Sequence, residues 1–506
     1  MELNKHETTL TSKVTTYEHS CEQSIDTEIT LADYCPEVNK VLKCIAEPNA
    51  LSTQCTENGI SIGGQLAMTV IYLDPEGKLN SVNHICPFTK TVETADANGC
   101  YAEAVPMVNY LNTKAVGPRK LEMHGSIGIS VTVWDIKRKS VITELQGEGI
   151  HSKNDCCRVV RALPPIEKSI FVDDDLQIPQ NRPSIGRLIR ADAKATVDEC
   201  KYVSGKVVVK GDFTLELLYC PSPEGRPILL TETRGFSQVV DCAGESEDLL
   251  FDSFIKVQAL DVRTKTSMDG EVRNVSFEAK MCLTVFPYEQ DEICRVTDAF
   301  STVFKADIIK ERIKLQQFGQ SICENFVCKK TVDPIGLTVT DIYDIWCCPK
   351  VEHWGVENGE AVVRGTVTLN ALCSEDNDGR AYFEKELDFE FSTLISADDA
   401  VFKPEVTVKA VNFSLNAENR VEVSVELNAK FNVILQSEEE AVVSAIISEE
   451  AVSKDHDTAA VLYFAENESV WCVAKKYKTS PQKVCAVNGI DDADEPQNKM
   501  LLVPSN

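Results

Sequence analysis

Ser204-Gly205-Lys-Val-Val-Val-Lys-Gly211-Asp-Phe-Thr-Leu-Glu-Leu-Leu-Tyr219-Cys-Pro-Ser-Pro223-Glu-Gly225-Arg226 reads as a turn, a strand with a glycine at its middle, and a second turn closed by glycine and a basic residue. The pattern occurs three times. Asn58-Gly59 opens a copy running through Gly63-Gly64 to Tyr72, Pro75, Gly77 and Lys78. Asn358-Gly359 opens another, running through Gly365 to Cys373, Gly379 and Arg380. Asn-Gly tolerates the positive φ of tight hairpin turns, and a glycine inside a strand marks a bulge or a close backbone approach. Gly64, Gly211 and Gly365 lie roughly 150 residues apart, a domain-sized period.

A second strand pair follows each copy. Val105–Tyr110 leads to Leu121–Val133, Phe254–Leu260 to Val272–Val285, and Val406–Val411 to Arg420–Val433. The last alternates apolar and polar residues with period two, as a half-buried antiparallel strand does. Pro36 precedes Gly64 by the same interval at which Pro183 precedes Gly211. A chain of 506 residues suits three or four domains at roughly 150 residues each.

Residues 459–506 change character. Val470, Val473, Ala474 and Tyr477 form the stripe of a short helix. Ser480-Pro481 is an N-cap followed by proline at the first helical position, opening a second helix through Val484 and Val487. Met500–Pro504 closes the chain as a strand, so the predicted order is βααβ.

Hydrophobic content of 43% and charged content of 26% fit globular protein. A net charge of −28 speaks against nucleic acid, whose binding needs a basic face, and against anionic membrane surfaces. No run approaches the roughly 18 apolar residues of a membrane span. Met1–Glu7 lacks the apolar h-region of a secretory signal, so a cytoplasmic protein is expected. The 20 cysteines are scattered, and no cluster with the seven histidines has zinc-ligand spacing. A disulfide framework is not expected in a reducing cytosol; most cysteines read as small buried hydrophobes, with cross-linking of some of them in a late-oxidising assembly as the alternative. Cys156-Cys157 beside Arg158 offers a low-pKa thiol as the sharper alternative to a plain loop pair. Phosphate-loop, zinc-protease and nucleophile-elbow motifs are absent. No catalytic residue, cofactor or metal is therefore assigned, and an enzyme is not expected.

The C-terminal segment resembles a LysM domain: Trp471, Val473, Ala474, Tyr477, Val484, Asn488, Ile490, Leu501, Val503 and Pro504 stand where that family's pattern wants them. The resemblance implies a groove for N-acetylglucosamine-containing glycans between two loops. The candidate loop residues here are Asn467, Glu468, Ser469, Asn488, Gly489, Ile490 and Asn498. Asn467-Glu468-Ser469 replaces the family's Gly-Asp-Thr, and Asn498 replaces a glycine. Protein docking is thus the competing use of the module. Trp471 is expected to pack in its core.

Tandem β-rich repeats ending in such a module resemble the SPOCS-domain, SipL-like spore coat morphogenesis family of endospore-forming bacteria. The implied architecture is mainly β, with three tandem SPOCS-like repeats and one small α+β LysM domain. Its expected divisions are an N-terminal segment (1–19), repeat 1 (20–153), a linker (154–183), repeat 2 (184–298), a helical connector (299–330), repeat 3 (331–450), a linker (451–458) and LysM (459–506). The implied role is a scaffold in the mother-cell cytoplasm at the forespore surface and spore coat. Its implied partners are the coat-basement ATPase, stage IV sporulation protein A, reached through the LysM module, and other coat proteins. The alternative is a cell-envelope protein that binds peptidoglycan or a chitin-like glycan.

Overall fold

The computed structural model describes residues 3–94, 99–244, 248–267, 270–334, 336–375, 379–395, 397, 399–416, 420–452 and 459–505. The repeated strand is the middle of a three-stranded antiparallel meander each time. In the first unit β2 (Lys40–Thr56), β3 (Gly59–Leu73) and β4 (Leu79–Val92) form it. β9 (Ser184–Val203), β10 (Lys206–Ser222) and β11 (Ile228–Asp241) do so in the second. The third has β15 (Val339–Glu357), β16 (Glu360–Glu375) and β17 (Gly379–Leu394).

Every second residue of the middle strand points into a core. In β10 these are Val207, Val209, Gly211, Phe213, Leu215, Leu217 and Tyr219. The inward series in β3 runs from Ile60 to Tyr72 and in β16 from Ala361 to Cys373. The glycine belongs to this series, and directly opposite each one stands a phenylalanine: Phe88 at Gly64, Phe236 at Gly211 and Phe389 at Gly365. On the other flank the partner strand bulges, between Ala50 and Ser52, Glu199 and Val197, and Val351 and His353. Bulge and close approach therefore occur together: the ring covers the glycine while the bulged strand pushes a carbonyl toward it. The Tyr72 and Tyr219 hydroxyls donate to the carbonyls of Pro36 and Pro183 at 3.0 and 3.2 Å, which accounts for the constant spacing of those prolines.

A second sheet closes each core around one long strand. In the first unit this is β6 (Lys120–Gln146), flanked by β1 (Asn4–Thr30) and β5 (Tyr101–Gly117). In the second, β13 (Val272–Ser301) pairs with β12 (Leu249–Thr266), β8 (Ile166–Gln177) and β7 (Ile150–Ala162). The third has β20 (Val421–Ala451) between β14 (Phe304–Val332) and β19 (Glu405–Leu415), with β18 (Ala400–Val401) also on β20.

Three expected divisions are corrected by these strands. Residues 4–19 are not a separate N-terminal segment but the first half of β1. The expected linker 154–183 supplies β7 and β8, one strand line interrupted at Pro164-Pro165, where no backbone N–H is available to a ladder. The expected helical connector 299–330 is extended: β14 pairs with β20 from Phe304↔Ala451 to Val332↔Val421. Ile308, Ile313, Leu315, Phe318 and Ile322 fit a helical stripe by spacing, yet pairing along a 29-residue strand outweighs that local signal. Most of the expected linker 451–458 (453–458) lies outside the described residues.

The three units close into a ring. β4 abuts β9, β11 abuts β15, and β17 returns to β2. At one pole the outward faces of the meanders meet through Ile71, Leu218, Leu372 and Trp346. At the other the long strands pack on each other through Leu10, Val141, Val159, Ile293, Ile313, Leu315 and Ala441.

Candidate functional site

Two places collect side chains that a partner or ligand would meet: the C-terminal module and the cavity enclosed by the ring. The module comprises β21 (Ala460–Phe464), β22 (Glu468–Ser469), α1 (Val470–Tyr477), α2 (Pro481–Asn488), β23 (Pro496–Gln497) and β24 (Met500–Pro504). β21 pairs with β24 and β22 with β23, both antiparallel. The Ser469 hydroxyl caps α1 by accepting from the Cys472 N–H, and α2 ends at Gly489 with φ +64°. Val470, Val473, Ala474, Val484, Leu501 and Val503 make the core.

The seven loop residues fall into two groups. Asn467, Glu468, Ser469 and Asn498 come together: the Asn467 N–H donates to Asn498 Oδ1 at 2.9 Å, and Glu468 accepts from the Tyr463 hydroxyl at 2.6 Å. Asn488, Gly489 and Ile490 end α2. The Asn488 amide donates to Val484 O and Leu502 O and accepts from the Leu502 N–H, all at 2.8 Å. Asn488 is therefore a clamp between α2 and β24. One side-chain oxygen each of Asn498 and Glu468 is likewise engaged inside the module.

Trp471 is buried, but against the ring as well as within the module. Its ring stands edge-on to Phe300 of β13, with centroids 5.1 Å apart, and its indole N–H donates to Asp298 at 2.8 Å. Lys475 pairs with the same carboxylate at 2.6 Å, and Lys153 of β7 pairs with Asp494 at 2.7 Å. The lysine and indole partners hold Asp298 below the usual carboxylate range although burial opposes them. α1 is thus seated on β13. The opposite face is open: Leu462, Phe464, Met500 and Leu502 pair across β21 and β24 and are 67%, 53%, 52% and 38% exposed. Sequence reasoning passed over these four. Their signal was apolar residues at both parities of each short strand, more than a one-sided core needs.

Cys156 and Cys294, opposite one another on β7 and β13, form a disulfide, so the expectation of free thiols fails there. Two positions 138 residues apart are adjacent only through strand pairing. Cys157 is held the other way from the low-pKa reading: burial raises its thiol, and Arg295, 3.2 Å away, only partly offsets this.

Between the poles of the ring lies a cavity of 2820 Å³, lined from all three units. Glu47 and Asp192 face it from neighbouring units. Glu47 is exposed to the cavity yet enclosed by protein on all sides, and the resulting desolvation, reinforced by Asp192, pushes its carboxyl up to about 7, with Arg190, Lys256 and Lys194 opposing. The folded protein then keeps a proton that the unfolded chain releases above 4.5, so stability falls as pH rises from about 4.5 to about 7. Because Glu47 is exposed to the cavity, solvent screening reduces the effect to roughly 1 kcal/mol. Glu47→Gln is expected to flatten that pH dependence in thermal unfolding and to raise the midpoint at pH 8. An unchanged pH slope would show that Glu47 is not the group responsible.

Among the described residues no group of three potential ligands could hold a metal ion, and no helix is long and apolar enough to cross a membrane.

Residues 37–116 and 184–280 match a family model described as SipL, SPOCS domain. The matched stretches run from just before β2 to the end of β5, and from β9 into β13. They therefore contain both glycine-centred meanders of the first two SPOCS-like units. No curated protein and no solved structure matches the chain.

Proposed function

We propose that this chain is a non-enzymatic scaffold of endospore coat assembly. In this reading it works in the mother cell at the forespore surface, and its C-terminal LysM-like module docks on the coat-basement ATPase, stage IV sporulation protein A. The SPOCS match supports the sporulation setting. The observation that carries the docking mode is the apolar strip of Leu462, Phe464, Met500 and Leu502, turned away from the face that α1 presents to the ring. A contiguous exposed apolar strip of this kind is characteristic of protein interfaces. The glycan reading has less behind it, because Glu468, Asn488 and Asn498 already spend polar atoms inside the module.

Full-length protein is expected to retain the ATPase in a pull-down and to ignore peptidoglycan and chitin oligomers. Leu462→Ser combined with Phe464→Ser, both exposed, should weaken ATPase capture at least tenfold with unchanged thermal unfolding. Retention on peptidoglycan without ATPase binding would overturn the proposal in favour of the cell-envelope reading.

A further inference from the structure

One end of the ring cavity has a construction unlike the rest. Lys13 enters from β1 and places its ammonium 4.4 Å from the centroid of the Trp134 ring and 4.1 Å from that of Phe286. Those two rings are themselves 5.5 Å apart, and Phe254 meets Phe286 edge-on at 6.1 Å. The aromatic residues come from β6, β12 and β13, so two units build this floor and the third reaches it through Lys403 and Asn432.

The charges around it are nearly all committed. Lys403 is bound by Glu103 through both carboxylate oxygens, at 2.6 and 2.5 Å. Asp252 accepts from the Asn432 amide at 2.8 Å, and Tyr288 also hydrogen-bonds it. Among the described residues the Lys13 ammonium has neither a hydrogen bond nor an ion pair; its contacts are the two ring faces. Ring faces attract a cation without neutralising it. Burial and the nearby Lys403 push Lys13 down to about 8, with the Asp252 and Glu103 carboxylates opposing from beyond contact distance. An apolar wall beside an ammonium with no ion pair in direct contact is the usual make-up of a small-ligand site, where apolar surface supplies affinity and one polar group fixes orientation.

We propose that this end of the cavity binds a small amphipathic organic anion, a flat apolar group carrying one acidic head. The acidic head pairs with Lys13, and the apolar body lies along Phe254 and Ile434 toward the open cavity. The full cavity is several times larger than the roughly 300–1,000 Å³ of a small-ligand pocket. The site is therefore the aromatic end alone, and the remaining space is its entrance.

The test uses full-length protein and the aromatic sulfonate 8-anilinonaphthalene-1-sulfonate, whose fluorescence rises in an apolar site and which accepts energy from tryptophan. One saturable site is expected, with energy transfer from Trp134 that Trp134→Phe reduces. Lys13→Met, which keeps the apolar stem, should weaken binding at least tenfold, and Lys13→Arg should stay within about threefold of the original. The neutral analogue N-phenyl-1-naphthylamine should bind independently of the residue at 13. The Leu462→Ser, Phe464→Ser background removes dye bound at the module. Equal affinity of the Met and Arg variants, or no saturable site in that background, would overturn the proposal. Should Lys13→Met fail to fold, the Arg variant and the ratio of the two dyes still decide: equal tightness of neutral and anionic probes counts against it.

Discussion

Asp344→Ala is expected to lower the stability of the ring by about 3 kcal/mol, read from chemical denaturation. The Asp344 side chain is 1% exposed and meets Arg190, 4% exposed, at 2.8 Å. Arg190 also stacks on Trp346, with 4.9 Å to the ring centroid, and contacts Asp192 and Glu216 at 3.3 and 3.6 Å. Removing Asp344 leaves a guanidinium out of water with only the looser partners. A buried charge that loses its best partner costs more than the pair itself contributes, because desolvation is no longer offset. Arg190→Met with Asp344→Leu should for that reason cost clearly less than Asp344→Ala alone. A loss under about 1 kcal/mol for the single variant would mean that water reaches Arg190 and the pair does not join the units. Lys43, Arg190 and Asp344 occupy one register position, opposite Ile71, Leu218 and Leu372. Two of these charges, Arg190 and Asp344, pair with each other, and Lys43 turns instead to Glu384.

Gly211→Ala is expected to cost about 3 kcal/mol, the upper range for an overpacked core position. A Cβ at Gly211 would overlap the Thr196 carbonyl oxygen and stand 2.8 Å from the tip of the Phe236 ring. The ring can swing, but the carbonyl belongs to the bulged backbone of β9 and cannot move without opening the ladder. Phe236→Leu added to Gly211→Ala should therefore restore little. Gly205→Ala is the useful contrast: its cost comes from a φ of +82°, with nothing within 4 Å of the added carbon. Equal stability of Gly211→Ala and the parent, in urea midpoint and slope, would mean that β9 does not approach as described.

The inward series of β3, β10 and β16 was legible because alternation with period two requires neighbours only on the same strand. The glycine in that series was legible as a bulge or close approach. Its covering phenylalanine was not, since Phe236 lies 25 residues away and is brought opposite by register alone. β14 was misread because its isoleucines satisfy two periods at once, and only the partner strand β20 selects one. The module's loops were located from residue types. Their hydrogen bonds, which turn Asn488 into a clamp, depend on how α2 and β24 meet. Trp471 was foreseen as packed; that half of its packing is Phe300 and Asp298 of another unit was beyond local pattern.

The linear chain by itself determined the repeated strand with its central glycine, the β-rich character and the helix–helix module at the end, because each rests on the spacing of apolar residues and turn-forming dipeptides along a few tens of positions. Tertiary structure alone decided the closed ring, the Arg190–Asp344 pair, the Cys156–Cys294 bond and the lysine set between two aromatic rings. These join residues more than about 100 positions apart, and strand register and unit packing, which no local spacing encodes, determine which of the many candidate partners meet.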